Sequence, residues 1–417
     1  MEFQFFDSSD CGFPKPKVPV LPSLSRDSLK KSQTKLQSDS WQIDGAFRPL
    51  RQSTHAGHYA RGRYALFEAY RLAGVGESGA LLAPSYHCRT MLDPAFQLKA
   101  DVNFYPLNPD LTPDIRAIEA QLKSQRAPIK ALLATHYFGF PQELSDLAAL
   151  CAQYGIALIE DCSHALFAPD EESARSTRVA MGETGQFGIA SPYKFYHSED
   201  GGLLWVNDAS ALSIAPQHAP GPLDEFKGAM SAFNRYRAKA LNLSSRDLGL
   251  EIKAQAQAQA QQIDAWGRDI RKPSYPLSIF YQAAEEGRRS LAVSRWVYRH
   301  TNLARLAGAR RQNYQHWLGA VAGLPACKAL LPKLPPDCVP YMFPLLIDSP
   351  QRHFHLLKLL GLPVWRWDEM AVSECAVAAK YRLNLLHLPC HQELSAEQMD
   401  WMVQVVQQVL NSMGHSQ

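Results

Sequence analysis

The sequence predicts an α/β fold, a mostly parallel sheet with helices on both faces, followed by a smaller α+β domain at the C-terminal end. Three observations carry this expectation. Between about residues 60 and 208, short apolar runs alternate with amphipathic stretches, the βαβ rhythm of a parallel sheet. At 417 residues the chain is too long for one small core and suits a large domain plus a smaller one. Its 46% hydrophobic and 20% charged residues are ordinary globular values.

The elements follow in order. Residues 1–50 read as an irregular N-terminal arm, with prolines at 14, 16, 19 and 22 and then a polar stretch. A large domain is expected over 51–300. Tyr64 to Leu72 reads as a helix, Ala80 to Ala83 as a strand and Val102 to Tyr105 as a second strand. Thr112-Pro113 supplies a cap and a first-turn proline for a helix whose Ile115, Ile118 and Leu122 share one face. Ala131 to Ala134 has the character of a buried strand. A helix from Gln142 ends at Gly155, where glycine makes a left-handed cap cheap, and Ile156 to Ile159 is a strand running into Glu160-Asp161. After Asp208 the rhythm is lost. Residues 209–300, including the Ala/Gln run 254–261, read as a helical insertion. The small domain, 301–417, shows a helix over Leu303–Leu318, a strand at Met342–Ile347 and a last helix opened by the capping box Ser395-x-x-Gln398.

Composition narrows the function. A net charge of +3 without a basic cluster does not predict a nucleic-acid partner. The eight cysteines form no Cys-x-x-Cys pair and read as reduced core thiols. The opening residues Met1 to Phe6 lack the build of a signal peptide, and no apolar run approaches the roughly 20 residues that span a bilayer. A cytoplasmic protein with no membrane partner is expected.

Ligands of open parallel sheets bind beyond the carboxyl ends of the strands. Asp161 follows one strand, His136 ends another, and Lys194 lies in a loop before the strand Leu203 to Val206. A pyridoxal site needs such groups: an amine to condense with the aldehyde, a carboxylate to keep the pyridine nitrogen protonated, and a helix N-terminus for the phosphate.

Several blocks resemble one family. Glu160-Asp161-Cys162-Ser163-His164-Ala165 is similar to the Glu-Asp-Ala-Ala-(Gln/His)-Ala motif of the DegT/StrS sugar aminotransferases. Ser191-Pro192-Tyr193-Lys194 and Asp200-Gly201-Gly202 resemble that family's Ser…Lys…Glu-Gly-Gly block. His136 to Pro141 is similar to its His-x-x-Gly-x-Pro turn, Gly62 to Leu66 to its Gly-Thr-Ala-Ala-Leu helix start, and Pro84-Ser85 to its strand-end Pro-Ser. Leu388-Pro389 before the last helix fits as well. The blocks cover roughly 55–208, with fainter traces from 300 to 410.

The resemblance implies a fold type I, pyridoxal 5'-phosphate-dependent aminotransferase. It would carry an amino group from an amino acid, such as glutamate, to a keto-sugar, nucleotide-linked, in polysaccharide or amino-sugar biosynthesis, and would work as a homodimer. Lys194 becomes the catalytic lysine. Asp161 faces the pyridinium nitrogen, His164 lies beside the ring, and Gly62 and Arg63 offer backbone N–H groups to the phosphate together with the Ser191 hydroxyl. Arg63 replaces the common Thr, and its side chain either adds a phosphate contact or points to solvent. Cys88 stands where many relatives have a ring-stacking aromatic, leaving Tyr86 or His87 as stacking candidates. Two other functions compete: a sugar dehydratase, which in this family has histidine in place of the lysine (His197 is near), and a non-catalytic binding or regulatory relative. Gly74-x-Gly76-x-x-Gly79 matches a dinucleotide fingerprint but lies after a helix and before a strand, the wrong context. His197 to Asp200 reads as a loop beside the cofactor rather than a metal site, and Trp365-Arg366-Trp367 as domain packing.

Overall fold

The computed structural model describes residues 1–8, 11–24, 28, 55–124, 128–166, 181–207, 213–237, 243, 254, 268–273, 277–336 and 338–412. The chain opens with a strand, β1 (Glu2–Asp7). It then builds a central sheet from β2 (Ala56–Tyr59), β3 (Ala80–Pro84), β4 (Val102–Tyr105), β5 (Ile129–Thr135), β6 (Ala157–Asp161), β7 (Phe187–Ala190) and β8 (Gly202–Val206). Their spatial order is β2-β8-β7-β6-β5-β3-β4. All pairings from β4 to β7 are parallel, and β8 runs against both of its neighbours.

Strand alternation divides the apolar side chains between two cores. Leu81, Leu133, Ile159, Ile189 and Leu204 face the helix Gly62–Leu72 through its Leu66 and Ala69. Leu82, Leu132, Leu158, Leu203 and Trp205 face the opposite side. Because both faces are covered, the strands read as nearly continuous hydrophobic runs, which is why they were legible.

Two helix ends bear on the sequence reading. Gly155 closes the helix Ser145–Tyr154 in the left-handed conformation, with φ of 63°. The helix expected from Thr112 begins at Ile115 instead. Asp114 accepts from the N–H of Ala117, while the Thr112 hydroxyl is bonded to Asp110, so the carboxylate displaces threonine as the cap.

Beyond the sheet, a second antiparallel sheet joins β10 (Cys327–Ala329), β11 (Met342–Ile347) and β13 (Leu385–Pro389). The helices Leu303–Val321 and Pro350–Leu359 pack with the last helix, Ala396–Ser412. The capping box forms in both directions, Ser395 N–H to Gln398 and Gln398 N–H to Ser395.

Two expectations are corrected. The arm is not wholly irregular: β1 is the middle strand of a sheet with β9 (Arg268–Pro273) and β12 (Met370–Ala371), and Phe3 and Phe6 are buried. Its partners lie hundreds of residues away, beyond the reach of any local pattern. Likewise the region 209–300 is not purely helical. It holds the helices Pro222–Arg237 and Ala292–His300 but also β9, which takes strand form from its pairing with β1. The Ala/Gln run lies outside the described residues except for Ala254. No helix among the described residues is long and apolar enough to cross a membrane.

Candidate active site

One cavity opens at the carboxyl ends of β6 and β7. Asp161, Ser163, His164, Ser191 and Lys194 line it, together with Arg61, Gly62 and Arg63 at the start of the helix Gly62–Leu72. The parallel strands aim these termini at one edge, as open sheets do.

Asp161 is the last residue of β6 and is almost fully buried. Its Oδ1 accepts from the backbone N–H of Ser163 at 2.8 Å, which fixes the carboxylate. Lys194 ends a short 3-10 turn, Pro192–Lys194, closed by its own N–H to the carbonyl of Ser191. Its Nζ stands 5.5 Å from the centre of the Tyr341 ring. The backbone of the lysine is clamped from the small sheet's side, because the buried Arg310 guanidinium donates to the carbonyl of Lys194 and to that of Tyr341.

His164 stacks on Tyr341, with centroids 4.4 Å apart and planes at 23°. Burial, with Lys194 and His387 nearby, holds its imidazole well below the usual histidine range, so it is neutral. Its Nδ1 accepts from the N–H of Phe138, which places the ring proton on Nε2.

The helix start makes a cradle. Arg61 is the extended N-cap, with φ of −146°, and has no side-chain cap. The N–H of Arg63 has no backbone partner among the described residues, as expected for a helix's first turn, while Arg61 bridges to Gly201 beside it. Facing them, the Ser191 hydroxyl donates to Ser163 Oγ at 2.9 Å. A Cβ on Gly62 would collide with Ser191 Oγ and stand 3.5 Å from Ser163 Oγ, so only glycine leaves this space open. The Arg63 amide, two hydroxyls and a helix N-terminus suit a phosphate. With the lysine and the carboxylate in the same cavity, the residues present fit pyridoxal phosphate.

Other positions depart from the reading. The Tyr86 and His87 rings lie outside the cavity. His87 stacks on Phe104 at 5.0 Å and accepts from the N–H of Ala371. Tyr86 lies against Trp367 at 4.9 Å, and its hydroxyl bonds His387. The two rings sit on a turn whose alternation leaves Cys88, not its neighbours, on the cavity wall. The Arg63 guanidinium donates to the carbonyl of Phe280, away from the cradle. His136 is occupied by Glu160, which it meets at 2.8 Å, and His197 by Glu393 at 3.0 Å; neither lines the cavity.

Several lining residues escaped the sequence reading as site residues, Ser163, Arg61, Tyr193 and Trp367 among them. Ser163 sits inside the quoted motif, and Arg61 adjoins the quoted helix start. Tyr193 is beside the lysine. Trp367 reaches the cavity because its neighbours anchor it: Trp365 donates through Nε1 to His387, and Arg366 is buried over Phe354 at 3.9 Å. All three residues pack as expected, and Trp367, against Tyr86 and His387, also lines the cavity.

Sheet order, helix placement and the lysine loop define a fold type I α/β chain. The chain belongs to the DegT/DnrJ/EryC1/StrS aminotransferase family, whose model matches residues 25–235. It is similar to L-glutamine:2-deoxy-scyllo-inosose aminotransferase of Streptoalloteichus tenebrarius, 27% identical over 210 residues, 46% of this chain and 47% of that one. It is also similar to GDP-perosamine synthase of Vibrio cholerae, 23% identical over 159 residues, 37% of this chain and 40% of that one. The alignments thus span about half the length of these curated relatives or less. Among solved structures, the fold is like that of PseC of Helicobacter pylori, an aminotransferase involved in the biosynthesis of pseudoaminic acid. That likeness has a TM-score of 0.62 at 14% identity and covers 96% of this chain and 99% of that one.

Proposed function

We propose that this protein is a pyridoxal-phosphate-dependent aminotransferase that moves an amino group from an amino acid, glutamate by preference, to a nucleotide-linked keto-sugar. The observation that carries this reading is the convergence of Lys194, Asp161, His164 and the Gly62–Ser163–Ser191 cradle on one cavity. The names of the relatives, an L-glutamine:2-deoxy-scyllo-inosose aminotransferase and a GDP-perosamine synthase, support the substrate class.

When bound, pyridoxal phosphate supplies an aldehyde for amine exchange and a ring that withdraws electrons. The chain's own residues do the rest. Lys194 offers the amine that holds the cofactor; displaced by the donor, it carries a proton to and from the reacting carbon. Asp161, immobilised by Ser163, keeps a proton on the ring nitrogen opposite it. His164 cannot take up a competing positive charge, because its burial keeps it neutral. Gly62, Ser163 and Ser191 would hold the phosphate in the same cavity as Lys194.

We propose further that the protein works in the cytoplasm as a homodimer. In support, Leu223, Phe226, Met230 and Phe233 are 62%, 64%, 42% and 50% exposed along one helix, an apolar stripe of the kind a partner subunit covers.

The test is spectroscopic. Purified protein mixed with pyridoxal phosphate should gain a visible absorbance band, and glutamate should convert it to the shorter-wavelength amine form. Lys194→Ala should give neither change. A wild-type protein that stays colourless would instead identify a binding module built on the same fold.

A further inference from the structure

The cradle for the phosphate contains one cation that the fold leaves uncommitted. Arg61 precedes the helix Gly62–Leu72 and lines the same cavity as Gly62, Ser163, Ser191 and Lys194. Its guanidinium carbon lies over the Tyr193 ring, 4.7 Å from the centroid. A cation–π contact of this kind does not use up the N–H donors, which stay available to an oxyanion. No hydrogen bond or ion pair from these donors occurs among the described residues, whereas the Arg63 guanidinium is bonded to Phe280. Asp200, whose carboxyl feels the charge of Arg61, is engaged elsewhere. It accepts from the N–H of Leu291 and lies 3.9 Å from Arg288.

We propose that Arg61, rather than Arg63, is the charged ligand of the cofactor's phosphate, and that Tyr193 holds it in place. The inference rests on the cofactor reading above. A phosphate bound only by backbone N–H groups and hydroxyls would keep most of its charge uncompensated in a half-buried cavity. A planar guanidinium offering two parallel N–H groups supplies that compensation with geometric selectivity. The arrangement also links anchoring to chemistry. The phosphate ligand rests on Tyr193, the residue immediately before the catalytic lysine, so filling the cradle steadies the lysine's turn.

Affinity for pyridoxal phosphate against unphosphorylated pyridoxal, read by tryptophan fluorescence quenching and by borohydride trapping on Lys194, tests this directly. Arg61→Gln should weaken pyridoxal phosphate about tenfold to a hundredfold, the range for a lost charge-assisted contact, and barely alter pyridoxal. Arg61→Lys, which keeps charge but not the fork, should fall between, and it serves as the folded comparison if the glutamine variant is unstable. Arg63→Gln should cost clearly less than Arg61→Gln. Equal losses for both compounds would make Arg61 a scaffold for Tyr193 and overturn the assignment. An unchanged preference with weaker binding of a nucleoside diphosphate would place its anion on the substrate and overturn it too. Wild-type protein that captures neither aldehyde would sink the cofactor reading and this assignment together, an outcome distinct from an Arg61 variant that keeps the wild-type preference.

Discussion

Acid should dismantle this protein through its buried imidazoles, and the dependence can be worked out from the structure. His87, His387 and His391 are almost wholly buried. Burial pushes His87 down to about 4, and His387 and His391 down to about 3, from an ordinary value of 6.5. Each is neutral in the fold and free to protonate when unfolded. Above pH 6.5 neither state binds the proton and no penalty exists. As the pH falls below 6.5 the unfolded chain takes up protons that the fold refuses, so stability drops until the folded values are reached. Each group contributes about 1.4 kcal/mol per pH unit, so the three together remove roughly 4 kcal/mol per unit. Against a typical total of about 5–15 kcal/mol, unfolding is expected between about pH 5 and pH 4. Urea midpoints measured by tryptophan fluorescence at pH 7.5, 6.5, 5.5 and 5 provide the assay. The midpoint should be level above pH 6.5 and fall steeply below it. His391→Gln, at a site bonded to the carbonyl of Pro19, should flatten the acid limb by up to about a third, less to the extent that His164 adds to it. A midpoint that is constant down to pH 5, or a His391 variant with an undiminished slope, would refute the reasoning.

Three substitutions test other parts of the structure. Gly62→Ala should fill the cradle and weaken pyridoxal phosphate by about tenfold or more while sparing pyridoxal, as read by equilibrium binding. Glu160→Gln should cost about 3–5 kcal/mol in urea unfolding, because this carboxylate accepts from His136 and from the N–H groups of Gly182, Thr184 and Gly185. Burial works to raise the Glu160 carboxyl, but those donors hold it below the ordinary carboxylate range. Gly139→Ala should destabilise by about 1–3 kcal/mol or more, since φ is 93° there and the new methyl would meet the backbone of Val339 and Tyr341; a Tm within a degree of wild type would contradict this.

Most of the large sheet was legible because its inner strands are short, apolar and bounded by turns, whereas β2, Ala-Gly-His-Tyr, gave no such signal; Val102–Tyr105, and Met342–Ile347 in the smaller sheet, match the sequence reading residue for residue. Lys194 and Asp161 were legible through ordered blocks at fixed intervals rather than through either residue alone. What stayed hidden was set by distance or by neighbours. β1 finds its partners at Lys272 and Ala371. Trp367 enters the cavity because Trp365 and Arg366 are pinned elsewhere. The difference between Arg61 and Arg63 is a matter of where two adjacent side chains leave a helix end. His87 looked like a ring for the cofactor, but Phe104 had already claimed its face.

The pairing of β1 also orders events during synthesis. Phe3 emerges from the ribosome well before its partners, and its ladder is complete only after Lys272 and then Ala371 have been made. This strand is therefore among the last to settle. A bulky fusion ahead of Glu2 would tax this late closure rather than the nucleation of the main sheet, and would show itself as slow maturation with normal early collapse.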